Sequence, residues 1–157
     1  MKHFALAALI AVALAAAALA ATSETKASVR VTQIKATGSG GKTTVDPKLK
    51  GLADKLPQEF KFSRYDYISS ESFNLAAGKT GTAKLANGHK LDITPTAITG
   101  SGTETTYTLK VVIYHKKANE KNARTMTCKI EKGDSFLVSL GESKDLGGTL
   151  ILAIKVQ

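Results

Sequence analysis

The sequence predicts an all-β protein: an antiparallel β-sandwich or partly open barrel of about nine short strands, with one short helix near 46–56. Three observations carry that prediction. Apolar side chains recur with period two through most of the chain, as they do where one face of a strand is buried. Turn-forming Gly, Asn and Asp clusters separate these runs. Helical spacing occurs once, so there is no strand–helix alternation of the kind that builds a parallel sheet.

The chain opens MKHFALAALIAVALAAAALAATSE. A short basic start, an alanine-rich apolar run and the small-x-small triplet Ala18-Leu19-Ala20 have the layout of a secretory signal peptide. Residues 1–20 are therefore expected to be cleaved, leaving 21–157 as a single β-rich exported domain, periplasmic or extracellular. The run is short for a membrane span and no basic flank follows it.

The first strand is read at 29–35, where Val29 and Val31 alternate with Arg30 and Thr32. Asp46-Pro47 then starts the helix, with Asp46 as N-cap, Pro47 in the first turn, and Leu49, Leu52, Ala53 and Leu56 on one face. Phe60 and Phe62 share one parity and Tyr65 and Tyr67 take the other; Phe73 and Leu75 follow. Ala86-Asn87-Gly88-His89 marks a hairpin before Leu91 and Ile93. The longest run holds Tyr107, Leu109, Val111 and Ile113, and a polar loop is expected at 116–122. Met126, Cys128 and Ile130 come next, and Lys132-Gly133-Asp134 is short enough to turn a second hairpin into Phe136, Val138 and Leu140. A loop at 141–148 leads to the last strand, Leu150, Leu152, Ile154 and Val156. An outer-membrane barrel would need girdles of aromatic residues; the chain has five Phe, four Tyr and no Trp.

Several chemistries are disfavoured by the same residues. ATGSGGKT, 36–43, resembles a phosphate-binding loop, but such a loop must open directly into a helix whose free N–H groups face the phosphates. Here Val45 and the Asp46-Pro47 step displace the helix by about one turn, roughly 5 Å, so the stretch reads as a connection and no nucleotide is expected. His89 falls at a hairpin tip and His115 at a strand end, neither in a nucleophile motif. Cys128 is the single cysteine, so no internal disulfide can form. Its place between Met126 and Ile130 predicts a buried, inert thiol, with pairing between chains as the alternative. The acids are dispersed, and His and Cys do not fall at metal-ligand spacing. No catalytic, cofactor-binding or metal residues are assigned, and neither an enzymatic activity nor a cofactor is expected. Aromatic and basic residues at 60–67 fall on both strand faces, which argues against nucleic acid.

The stretch ARTMTCKIEKGDSFLVSLG, 123–141, resembles a hairpin of the secretins, the outer-membrane channel family, and GGTLILAI, 147–154, is similar to their last apolar strand. The chain lacks the length and the other domains of a channel subunit. The resemblance implies a small envelope β-domain, accessory to a larger envelope or secretion assembly, and carries no functional residue across.

Two functions remain. The first is a non-enzymatic envelope domain working through protein–protein contacts, its edge strands accepting a partner's strand. The outermost strands in sequence, carrying Val29 and Val31 at one end and Leu150, Leu152 and Ile154 at the other, are the candidate edges. The second follows from charge: 22 Lys+Arg against 13 Asp+Glu give a net +9. Such an excess attracts anionic polymers or lipid head groups, for example lipopolysaccharide or cell-wall glycopolymer. A single face carrying the cations would favour the polymer, and an even scatter the protein partner.

Overall fold

A computed structural model of the chain describes residues 25–115 and 123–157. The signal peptide expected at 1–20 and the loop expected at 116–122 fall outside the described residues. The rest is a β-sandwich of two open sheets, so of the two expected architectures the sandwich is the one adopted. Nine strands are described: β1 Lys26–Thr37, β2 Thr44–Val45, β3 Arg64–Ala76, β4 Gly81–Lys84, β5 Lys90–Thr99, β6 Thr106–Tyr114, β7 Arg124–Glu131, β8 Ser135–Ser143 and β9 Gly148–Val156. One sheet has the order β2-β3-β1-β9-β8, the other β4-β5-β6-β7.

The main core is the sum of the inward parities. Val29, Val31, Leu150, Leu152, Ile154 and Val156 of the first sheet meet Leu91, Ile93, Leu109, Val111, Ile113 and Ile130 of the second. Burying each such side chain contributes about 1.5–3 kcal/mol. Cys128 belongs here, 5 % exposed and opposite Leu109 in register.

The same packing corrects the expected edges. Val29 and Val31 lie on β1, which pairs with β3 on one side and β9 on the other. Leu150, Leu152 and Ile154 lie on β9, held between β1 and β8. All five are interior residues of central strands, at most 1 % exposed. Period-two alternation reports which face of a strand is buried, and says nothing about its neighbours. The near-continuous run Leu150-Ile151-Leu152-Ala153-Ile154 does signal a strand covered on both faces. In each sheet the long strands exposed along one side are β8 and β7.

The second covering comes from the connection between β2 and β3. The single helix expected over 46–56 is in fact two pieces, a 3-10 helix at Pro47–Leu52 and helix α1 at Lys55–Glu59. Gly51 weakens the middle of the segment. Pro57 sits inside the first turn of α1 rather than closing a helix, where its missing N–H is no loss. Asp46 caps the 3-10 helix as expected, its Oδ1 accepting from Lys48 N at 2.9 Å. Leu49 and Leu56 pack on Ile34, Ala36, Tyr65, Ile151 and Ala153, forming a smaller core on the outer face of the five-stranded sheet. Tyr65 anchors this cover: its hydroxyl donates to Phe60 O at 2.6 Å and accepts from Phe62 N at 3.3 Å.

A bulge lets β3 serve both cores. Ile34 pairs with Tyr67 and Gln33 with Ser69, leaving Ile68 extra. Before it, Tyr65 and Tyr67 join the outer cluster; after it, Phe73 and Leu75 join the main core.

Two turns differ from expectation. The Asn87-Gly88 loop closes with Leu85 N donating to His89 O and Gly88 N to Leu85 O, both at 2.8 Å. Gly88 alone takes a positive φ, 80°, which makes a three-residue loop rather than a two-residue mirror-image turn. Lys132-Gly133-Asp134 does not make a hairpin: β7 and β8 lie in different sheets, and the turn arches between them. Gly133 N reaches Val156 O at 2.7 Å and Lys132 N reaches Thr105 O at 2.8 Å, so the arch is tied to both layers. The loop expected at 141–148 is shorter, since β8 continues to Ser143 through an irregularity between Ser139 and Glu142.

A candidate anion-binding groove

The helical cover hides only part of the outer face of the five-stranded sheet. At its border lies a groove of about 590 Å³. Strand register builds its floor. Ser72 of β3 is opposite Arg30 of β1, Arg30 is opposite Lys155 of β9, and Lys155 is opposite Ser135 of β8. Two residues along, Ser70, Thr32, Ala153 and Leu137 form a parallel row. The first row thus reads hydroxyl, cation, cation, hydroxyl across four strands. In the second the Thr32 and Ser70 hydroxyls are bonded at 3.2 Å.

Lys48 and Lys50 of the 3-10 helix form the wall, with Lys48 Nζ 5.1 Å from the centre of the Tyr67 ring. Asp46 fixes wall to floor. Besides capping the 3-10 helix, it accepts from Tyr67 N at 3.3 Å through Oδ2.

The electrostatics of the groove are one-sided. Arg30, Lys48, Lys50 and Lys155 line it and no carboxylate does. Among the described residues none of these four makes an ion pair. Arg30 Nε donates to Ser72 Oγ at 3.3 Å, leaving its terminal guanidinium nitrogens for another acceptor. The acid whose charge Lys155 influences is Asp134, already paired with Lys55 and bonded to Ser135 N at 2.8 Å. Those contacts, with Lys55 the largest, hold the Asp134 carboxyl below its ordinary range. Like charges directly opposite on adjacent strands are destabilising. Arg30 and Lys155 form such a pair, and an anion seated across them relieves it.

The remaining sequence candidates fall elsewhere. The stretch 36–43 leads into β2, whose Thr44 and Val45 pair in parallel with Arg64 and Tyr65. The residues after the glycines thus form a strand, the opposite of what a phosphate loop needs. Burial pushes the Cys128 thiol up to about 11, and it is not placed to pair between chains. His89 and His115 come together, which the sequence did not signal: their rings meet edge to face, 4.7 Å between centres. Glu142 and Asp145 line the same cleft of about 350 Å³, and Asn87 Nδ2 lies 3.2 Å from His89 Nδ1. Among the described residues no three His, Cys, Asp or Glu side chains form a metal-holding group, and no helix is long and apolar enough to cross a membrane.

The groove itself was only half visible in the sequence. Arg30, Thr32, Ser70 and Ser72 are recognisable as polar positions of alternating strands. Their meeting with Lys155 requires the strand order. No family model, curated protein or solved structure matches the chain.

Proposed function

We propose that this protein is a non-enzymatic exported domain that binds anionic envelope polymers through the groove on its five-stranded sheet. One observation carries the reading: four cations converge on a cavity without a lining carboxylate. Scattered surface lysines are ordinarily solvated and near acids of opposite sign; this set is gathered by register and by a capped helix. Attraction of this kind is long-ranged at low ionic strength and screened as the Debye length shrinks from about 10 Å at 0.1 M salt to about 3 Å at 1 M. The test is retention on immobilised lipopolysaccharide or cell-wall glycopolymer across a salt gradient. Affinity should fall steeply with salt and fall again in Arg30→Gln/Lys155→Gln. Binding indifferent to both rejects the reading.

A protein partner is the second reading, now centred on different strands. β8 and β7 each hydrogen-bond to a neighbour on one side only, so either supplies a ladder for an added strand. A native pull-down that recovers a partner lost on Val138→Pro in β8 supports it. Recovery of the protein alone, sedimenting as a monomer, counts against it.

A further inference from the structure

We propose that the unit recognised in the groove is a sugar bearing an acidic substituent, phosphate or carboxylate, rather than a bare polyanion. This rests on the polymer-binding reading and adds to it what lies beneath the charge. The floor interleaves two chemistries. Arg30 and Lys155 stand at the centre of the first row, with Ser72 and Ser135 outside them. Thr32 and Ser70 continue the hydroxyl lining in the next row.

A phosphate chain or a nucleic-acid backbone offers acceptors almost alone, and a surface built for it needs donors: Arg, Lys and backbone N–H. A hydroxyl side chain both donates and accepts, which matches the hydroxyls of a sugar. The geometry allows both kinds of contact at once. Four strands cover three inter-strand steps, roughly 14 Å, the reach of a short oligosaccharide laid across the strands. An acidic substituent over the centre meets the free end of the Arg30 guanidinium, whose fork suits phosphate or carboxylate, and the Lys155 ammonium beside it. The sugar hydroxyls then fall towards the flanking serines. Ala153, opposite Thr32 in the second row, is the small residue of the floor and lets a ring face approach the sheet. Lys48 and Lys50 close the side from the 3-10 helix.

Calorimetric titration of the exported domain compares three soluble probes: an acidic oligosaccharide (phosphorylated or uronate), linear inorganic polyphosphate of the same charge, and the neutral parent oligosaccharide. The acidic oligosaccharide should bind at least about tenfold more tightly than polyphosphate, and the neutral sugar should show no measurable binding. The variant Thr32→Val/Ser70→Ala keeps every cation and the Ser72 hydroxyl that accepts from Arg30, and should lose about tenfold in affinity for the acidic sugar, the worth of one or two hydrogen bonds. Its polyphosphate affinity should stay within about twofold, and an unchanged urea midpoint checks its fold. Vesicles carrying lipopolysaccharide, set against anionic phospholipid vesicles of equal charge, separate the sources. Preference for the former assigns a lipid-anchored sugar; binding of the soluble oligosaccharide alone assigns a free polymer. Equal or tighter binding of polyphosphate, or equal losses for both ligands in the hydroxyl variant, overturns the sugar inference and leaves the polymer reading standing. Failure of both anionic probes to bind overturns the two together.

Discussion

Arg30 and Lys155 stand directly opposite one another on neighbouring antiparallel strands, with no ion-pair partner for either among the described residues. Facing side chains on such strands lie about 4.5–5.5 Å apart at Cβ, and like charges there repel. The groove therefore trades stability for binding. Replacing Lys155 with Thr should raise unfolding stability by about 0.5 kcal/mol at low salt, while weakening retention on the polymer. The gain should fade in 1 M salt, where the repulsion is screened. Urea midpoints at two salt concentrations, beside a binding curve, give both signs in one experiment. A variant less stable than the parent at low salt would show that Lys155 has a structural role.

Gln33 fastens the two layers. It is 3 % exposed, and its amide donates to Lys84 O at 3.0 Å while accepting from Ala86 N at 2.7 Å. Gln33→Leu leaves a carbonyl and an N–H of the opposite sheet without these partners. A loss of about 1–2 kcal/mol is expected, since two part-buried hydrogen bonds are lost while Lys84 and Ala86 themselves are exposed and their backbone groups can turn to water. Amide exchange at Ala86 should accelerate along with the fall in urea midpoint.

Alkaline stability should report two buried protons. Burial raises the Cys128 thiol to about 11, and burial also raises the Tyr65 hydroxyl against the pull of the Phe62 N–H. The unfolded chain gives up these protons at lower pH than the folded one. Their contribution is complete below the ordinary thiol value and is lost as pH rises through about 11 for Cys128. Urea midpoints should decline between about pH 8 and pH 11, and Cys128→Ala should flatten that decline. Native Cys128 should resist alkylation until the domain unfolds.

Asp134 behaves in the opposite sense. Its pKa is lowered chiefly by the Lys55 side chain, so its contribution is present above the ordinary carboxylate range and lost as pH falls through the lowered value. Both side chains are about half exposed, 48 % and 55 %, which keeps the contribution small. Lys55→Ala should move the Asp134 carboxyl back towards its ordinary value in an NMR titration, with little change in melting temperature.

Tyr65→Phe tests the cover over the sheet. The hydroxyl holds Phe60 O and Phe62 N in one turn of chain. Its removal should cost about 1–2 kcal/mol and speed amide exchange through 47–62.

The long strands were legible in the sequence because one-sided burial writes itself as alternation, and Tyr107, Leu109, Val111 and Ile113 are buried as that period requires. The capping role of Asp46 was legible for a similar reason: it depends on residues two positions apart. What the period could not convey is adjacency. Val29 and Leu150 look like neighbours of the chain ends, yet their strands sit at the centre of the sheet. Ile68 hides as one more apolar residue, although it is the extra residue at which β3 changes sides. The groove inherits the same limit: its polar floor joins β1 and β3 to β8 and β9 from the other end of the chain, and only the strand order makes Arg30 and Lys155 face each other.

The extra residue at Ile68 makes one ribbon a shared member of two interiors, Tyr65 and Tyr67 on one side and Phe73 and Leu75 on the other. Neither interior can loosen without tugging on the other. Whatever settles against Tyr67 is thereby felt throughout the sandwich, so occupancy at the surface should register as a single, cooperative rise in melting rather than as local stiffening.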